Sequence, residues 1–324
     1  MSLQDKVVMV TGGTGSFGQK FTEIALKEYK PKVIRIFSRG EFLQQEMRRQ
    51  FNDDDRLRFF IGDVRDRDRL YRAMNGVDIV IHAAALKQVD TCEYNPIEAV
   101  RTNIEGAINV IDAAIDNGVD RVMAISTDKA VHSVNLYGAT KLVAEKLLTQ
   151  GNAYSGWRQT KFSCVRYGNV IGSRGSVVPL FFEQQKNGVI TITDERMTRF
   201  WITLEQGVRL VIECVGLMRG GEIFVPKLPS MKVTDLANVI APEAEVRYIG
   251  IRPGEKIHET LLTEEEASHA RESADYFVVE PERPLRNGIE TNSGNPVPEG
   301  CNYVSDNNDW WLTPDELRQI LKDL

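Results

Sequence analysis

The sequence predicts an α/β protein, a doubly wound parallel (Rossmann) sheet with a smaller α+β substrate-binding lobe, and three observations predict it. Short apolar, β-branched runs alternate with amphipathic segments from residue 6 to about 167. A glycine-rich turn follows the first of these runs, and after Tyr167 the alternation loosens under a series of prolines. Alternation of this kind is the pattern of βαβ units.

Taken in order, Val7–Val10, Val33–Phe37, Leu57–Ile61, Asp78–Ile81, Val122–Ile125 and Phe162–Val165 read as six parallel strands. Helical patterning lies between them near 17–29, 41–51, 97–117 and 137–150. Beyond them Pro179, Pro226, Pro229, Pro242 and Pro253 break the chain into shorter elements. A Pro/Gly/Asn-rich segment at 281–300 precedes a last helix at about 313–323, where Thr313 and Glu316 have the spacing of a capping box. The expected division is a dinucleotide-binding domain over 1–167 and a mainly substrate-binding lobe over 168–324, interdigitated with the first. At 324 residues the chain is long enough for both to bury a core.

With 42% hydrophobic and 27% charged residues, the composition is that of an ordinary globular protein. A net charge of -6 argues against the broad basic surface that follows nucleic acid and leaves room only for a local basic pocket for an anionic small molecule. Cys92, Cys164, Cys214 and Cys301 form no CxxC pair, which points to a reducing cytoplasm without disulfides or structural zinc. No apolar run approaches the length of a membrane span, so a cytoplasmic chain without membrane anchor is expected.

The turn Thr11-Gly-Gly-Thr-Gly-Ser-Phe-Gly18 closes the first strand and opens the first helix. Gly12, Gly15 and Gly18 permit a tight turn, close approach of a pyrophosphate and close helix-to-sheet packing, with Thr14, Ser16 and Phe17 between them. The helix N-terminus then faces the phosphates. At the end of the second strand, where an acid usually meets the ribose 2′-hydroxyl of NAD, stand Ser38 and Arg39, so NADP is favoured, although Glu41 is near. Asp63 and Val64 after the third strand are placed to touch the adenine. Ala83 and Ala84 after the fourth strand are small where the backbone must approach the cofactor.

Of nine tyrosines only Tyr137 has a lysine four residues on, Lys141. That spacing puts both on one helix face, where the ammonium is expected to lower the phenol pKa and hold the nicotinamide ribose. Just upstream stands Asp128-Lys129, which simple hydride transfer does not require.

These segments resemble the extended short-chain dehydrogenase/reductase family. Within it, GGTGSFG, FFIGDVRD, IHAAALKQV, STDKA, VNLYGATK, RYGNVIGSRGSVVP, TRFWI, GGEIFVPKLPSMK and RPGEKIHE are similar to the inverting UDP-N-acetylglucosamine 4,6-dehydratases of pseudaminic acid synthesis. The resemblance implies that Thr127 orders the sugar hydroxyl, Tyr137 takes its proton, Lys129 is the base at C5 and Asp128 the acid at O6. It also implies UDP-N-acetylglucosamine as substrate, a homo-oligomer, and Lys87, Asn169, Arg174, Arg199, Arg252 and Glu255 on the sugar-nucleotide side.

An Asp–Lys ion pair opposes both assigned roles, since an acid needs a raised pKa and a lysine base a lowered one; burial beside a cationic nicotinamide would depress Lys129. Gly40 after Arg39 and Asp90 depart from the family pattern. His132 and His258 lack metal-ligand spacing and read as packing or surface residues. The same fold also supports a UDP-sugar 4-epimerase, a ketoreductase, or a non-catalytic NADP sensor; the intact Tyr137 and Lys141 argue against the sensor and Asp128-Lys129 against the epimerase.

Overall fold

The computed structural model describes residues 3–173, 175–282 and 294–322. Its first half runs β1 (Val7–Thr11), α1 (Ser16–Ile24), β2 (Val33–Ser38), α2 (Glu41–Gln50), β3 (Leu57–Ile61), α3 (Arg67–Met74) and β4 (Ile79–His82). There follow α4 (Val89–Tyr94), α5 (Pro96–Val100), α6 (Gly106–Asn117), β5 (Arg121–Thr127), α7 (Leu136–Gly151) and β6 (Lys161–Tyr167). All six strands are parallel in the order β3-β2-β1-β4-β5-β6, as the alternation predicts. Helices cover both faces, which is why β1 and β4 are almost continuously buried rather than alternating. The order reverses between β1 and β4, and the crevice at their carboxyl ends is where such sheets bind ligands.

Two helices depart from expectation. In α3, Leu70, Ala73 and Met74 are the buried residues among four charged ones, and Asp66 caps its start by accepting from the Arg69 amide. The helix expected near 97–117 is interrupted by a π turn at Arg101–Glu105, and α4 precedes it.

The second half runs β7 (Asn169–Ile171), α8 (Val177–Gln185), β8 (Val189–Ile192), β9 (Thr198–Thr203), α9 (Leu204–Leu217), β10 (Ile223–Pro226), β11 (Ser230–Lys232) and α10 (Val233–Ile240). It continues with β12 (Glu245–Tyr248), β13 (Thr260–Leu262), α11 (Glu264–Ala267), β14 (Ala270–Glu272), β15 (Tyr276–Val279), β16 (Asn295–Pro296), β17 (Tyr303–Val304) and α12 (Pro314–Lys322). Four of these strands rejoin the main sheet: β10 lies parallel to β6, and β15, β14 and β16 follow antiparallel, making ten strands among the described residues. The others form the small sheets β11-β9-β7, β12-β8 and β13-β17. A second core, including Phe181, Trp201, Met231 and Leu236, lies under the first two, whereas Leu261 and Leu262 of β13 pack into the main core.

Thr313 and Glu316 do cap α12, the Thr313 hydroxyl accepting from the Glu316 amide and the Glu316 carboxylate accepting from the Thr313 amide. The Pro/Gly/Asn-rich stretch falls largely at 283–293, outside the described residues. Among the described residues no helix is long and apolar enough to cross a membrane.

Candidate active site

The glycine loop after β1 has the geometry its sequence requires. Gly12 has φ +65°, and a β-carbon there would lie 3.0 Å from the backbone of Ala84; one on Gly18 would sit 2.3 Å from the Gly13 carbonyl. Only glycine allows β1, α1 and the loop after β4 to come this close. Gly15 starts α1 with no side chain capping it, leaving that end with the polarity that suits a pyrophosphate. Thr14 is buried beside it, its carbonyl accepting from Gln19, and Phe17 stacks on Phe21. The loop so shaped places Gly12 directly against Ala83 and Ala84.

At the tip of β2, Ser38 is buried and accepts from Gln44 Nε2 at 3.0 Å, whereas Arg39 is 60% exposed and 3.9 Å from Asp63. Arg65 holds the Asp63 carboxylate at 2.7 Å, and Val64 is buried with its carbonyl accepting from Asn109. The side chain expected to meet the adenine is therefore already paired with two arginines.

Between β5 and α7 the chain turns through a single 3₁₀ turn, Asp128–Ala130. Thr127 caps it: its hydroxyl donates to Asp128 Oδ1 at 2.8 Å and accepts from the Lys129 amide at 3.3 Å. Asp128 is 0% exposed, and its Oδ2 has no hydrogen-bond partner. Lys129 Nζ reaches Asp128 Oδ1 at 3.1 Å, Asn169 Oδ1 at 3.5 Å and Glu259 Oε1 at 3.4 Å. Burial works against the ammonium, but Asp128 and Glu259 outweigh it, so the Lys129 pKa lies above its ordinary value. The ion pair thus pushes the lysine in the direction expected of it, with Glu259 as a second carboxylate adding to the effect.

Helix α7 is docked directly on this turn. Asn135 caps it through the Gly138 amide at 2.7 Å, and a β-carbon on Gly138 would lie 2.1 Å from the Lys129 carbonyl. Tyr137 and Lys141 are both buried, and Tyr137 lies near enough to Lys129, Thr127 and Asp128 for each to act on its phenol. Burial pushes the Tyr137 phenol up to about 12, with Lys129 and Thr127 pulling the other way. Lys141 is not what moderates the phenol here: its Nζ donates to the Ile125 carbonyl at 2.6 Å, and burial lowers its own pKa.

Of the residues expected toward the sugar nucleotide, Lys87 Nζ approaches Ser173 Oγ at 3.4 Å, with its pKa lowered by burial and by Lys129. Arg252 pairs with Glu255, Nε to Oε1 at 3.0 Å, and lies 3.8 Å from Asp90, so two expected ligands and one departure form one exposed cluster. Arg174 lies outside the described residues. Arg199 is placed differently from the diphosphate-facing residue expected of it. It is 9% exposed, with its guanidinium donating to the carbonyls of Thr198, Lys256 and Ile257. That fork braces the chain before β13 instead of facing an open pocket.

Sequence reasoning missed four residues. His82 pairs with Thr11 at 2.8 Å under the glycine loop. Asn103, in the π turn, accepts from the Leu86 amide and donates to the Leu86 carbonyl and to Thr140, tying the loop after β4 to α7. Lys256 donates to the Val131 carbonyl at 2.9 Å, and Glu259 faces Lys129. Only the RPGEKIHE match touched the last two, and nothing in it specified their contacts.

Comparison with known proteins agrees with this architecture. Over 325 aligned residues the chain is 49% identical to a UDP-N-acetylglucosamine 4,6-dehydratase (inverting) of Campylobacter jejuni, covering 98% of this chain and 97% of that protein. It is 46% identical to a UDP-glucose 4-epimerase of Rickettsia conorii, covering 85% and 83%. The crystal structure of Pen from Bacillus thuringiensis superposes with a TM-score of 0.91 at 42% identity, covering 100% of both chains. More distant neighbours of the same fold include chains solved with NAD. The family model described as polysaccharide biosynthesis protein matches residues 8–281, and the chain belongs to that family, within the extended short-chain dehydrogenases/reductases.

Proposed function

We propose that the protein is an NADP-dependent UDP-N-acetylglucosamine 4,6-dehydratase that inverts C5. The observation that carries this reading is the contact of Asp128 with Lys129 on the turn that α7 presses against, beside Tyr137. A dehydration after C4 oxidation needs three proton-handling groups, and this site supplies three.

A nicotinamide dinucleotide held by the Gly12–Gly18 cradle would supply the acceptor for the C4 hydride and return that hydride to C6. Ser38 and Arg39 at the end of β2 support NADP, since an arginine suits a 2′-phosphate that NAD lacks. Tyr137, with Thr127 ordering the hydroxyl, takes the proton from O4. The resulting C4 ketone acidifies the C5 hydrogen, which Lys129 removes while Asp128 protonates O6, and water departs. Return of a proton to the opposite face of C5 completes the inversion to the L-arabino 4-keto sugar. Lys87, Asn169, Arg252 and Glu255 would hold the UDP-sugar.

The charged pair is one proton transfer from the form this chemistry needs. Moving a proton from Nζ to Oδ1 across 3.1 Å makes an amine base and a carboxylic acid in one step. Exclusion of water by bound substrate favours the neutral pair over the ionic one.

The Rickettsia relative favours a second reading, 4-epimerisation, which uses Tyr137 and the cofactor but no acid/base pair at C5 and O6. Mass spectrometry of UDP-N-acetylglucosamine incubated with protein and NADP separates the two, because only dehydration removes the mass of water. Water loss is expected from the wild type, and Lys129→Met is expected to abolish it while retaining NADP binding. Conversion without change of mass establishes the epimerase instead, and wild-type turnover by Lys129→Met removes Lys129 from the mechanism.

A further inference from the structure

Glu259 is 2% exposed and stands among three cations: Lys256 at 2.8 Å, Lys129 at 3.4 Å and Arg199 at 3.8 Å. Its backbone is fixed by Ser305, whose Oγ accepts from the Glu259 amide at 2.9 Å and whose own amide donates to the Glu259 carbonyl at 2.8 Å. Ser305 in turn pairs with Thr198 of β9 at 2.7 Å. Lys256 extends the same segment onto the reactive turn, donating to the Val131 carbonyl at 2.9 Å and the Asp128 carbonyl at 3.4 Å. A stretch more than a hundred residues downstream is therefore clamped to the turn that carries the acid/base pair.

On the dehydratase reading, from which this follows, we infer that Glu259 is a positioning residue that aims the Lys129 amine and sets the pH at which it becomes a base. An ammonium has three protons to donate, and Nζ has three acceptors around it: Asp128, Glu259 and Asn169. With all three engaged, the long lysine chain is held in one place.

The groups facing Nζ also define the charge balance. Asp128 comes from its own turn, Glu259 and Lys256 from the segment before β13, Arg199 from β9, Lys87 from the loop after β4 and Tyr137 from α7. Glu259 is the second of two anions amid these cations. Its own carboxyl is held down to about 2: burial would raise it, but Lys129, Arg199 and Lys256 prevail. It therefore stays ionised throughout the working range and favours the protonated lysine. The free amine that removes the C5 proton becomes available only when Asp128 accepts a proton or the pH rises.

The test is the pH profile of water loss by the holoenzyme on UDP-N-acetylglucosamine, for wild type and Glu259→Gln, with NADP titration as the check on folding. Glutamine keeps the shape and removes the charge. The rising limb of the profile should move acidward by about one pH unit or more, giving on the order of tenfold more dehydration per unit on its acid side. Solvent deuterium uptake at C5 should follow the same displaced limb. Lower turnover with an unmoved limb would make Glu259 a strut without electrostatic influence and overturn the inference, as would an alkaline shift. If the glutamine variant does not bind NADP, Glu259→Asp is the second arm: retreat of the carboxylate by one methylene should move the limb in the same direction by less, and an unmoved limb overturns the inference. A wild type that never releases water overturns the dehydratase reading together with this one.

Discussion

His82, at the carboxyl end of β4, hydrogen-bonds Thr11 and is wholly enclosed beneath the glycine loop. Burial, helped by Lys141, lowers its pKa from 6.5 to about 3. The folded state therefore binds its proton much less readily than the unfolded chain. Stability that is fully present above about pH 6.5 should be lost as the pH falls from there toward 3, with a slope of about 1.4 kcal/mol per pH unit. Between pH 7 and pH 5, wild type should lose about 2 kcal/mol more than His82→Asn in denaturant unfolding; equal losses would contradict a neutral buried imidazole. Legibility at this scale follows sequence distance. Tyr137 with Lys141 and Asp128 with Lys129 stand within four residues of each other, so their spacing is visible in the chain. Thr11 is 71 residues from His82, and nothing local marks the contact. Arg199 illustrates the converse: its residue type suits a diphosphate, but only the fold shows its donors turned to three backbone carbonyls.

Among elements, the seating of α7 on the Asp128–Ala130 turn decides whether the reactive groups meet. Gly138 is the contact point, because a methyl group there would lie 2.1 Å from a backbone carbonyl that cannot swing aside. Gly138→Ala should force α7 outward, destabilise the fold by roughly 1–3 kcal/mol as overpacking does, and reduce turnover more than NADP binding. Melting and turnover like wild type would contradict the close seating. The helix itself was readable from its place in the strand–helix alternation, although its Asn135 cap was not. Helix α3 was not, because its four charged residues leave only Leu70, Ala73 and Met74 to mark a buried side, and burial against α6 supplies what local pattern does not. The π turn at Arg101–Glu105 has no sequence signature, yet it carries Asn103 to Leu86 and Thr140.

For the whole molecule, the six parallel strands were legible because parallel strands must be buried on both faces and joined by helices, whereas their order in the sheet was not. The extension to ten strands among the described residues was not legible either, since β10, β14, β15 and β16 are two to four residues long and β10, which joins them to β6, has both its partners fifty or more residues away. That return path matters to the site: the same half of the chain that extends the sheet also sends Lys256 and Glu259 back to the reactive turn. The central claim, elimination with inversion by Lys129, Asp128 and Tyr137, has a direct measurement. UDP-N-acetylglucosamine deuterated at C4 is incubated with the protein and NADP, a parallel reaction is run on unlabelled sugar in deuterated water, and both products are followed by NMR at early times. The predicted product is lighter by one water, carries the C4 label at C6 within the same molecule, and in deuterated water gains solvent deuterium at C5 with inverted configuration. Retained configuration at C5 before spontaneous epimerisation, or solvent deuterium at C6, would contradict it.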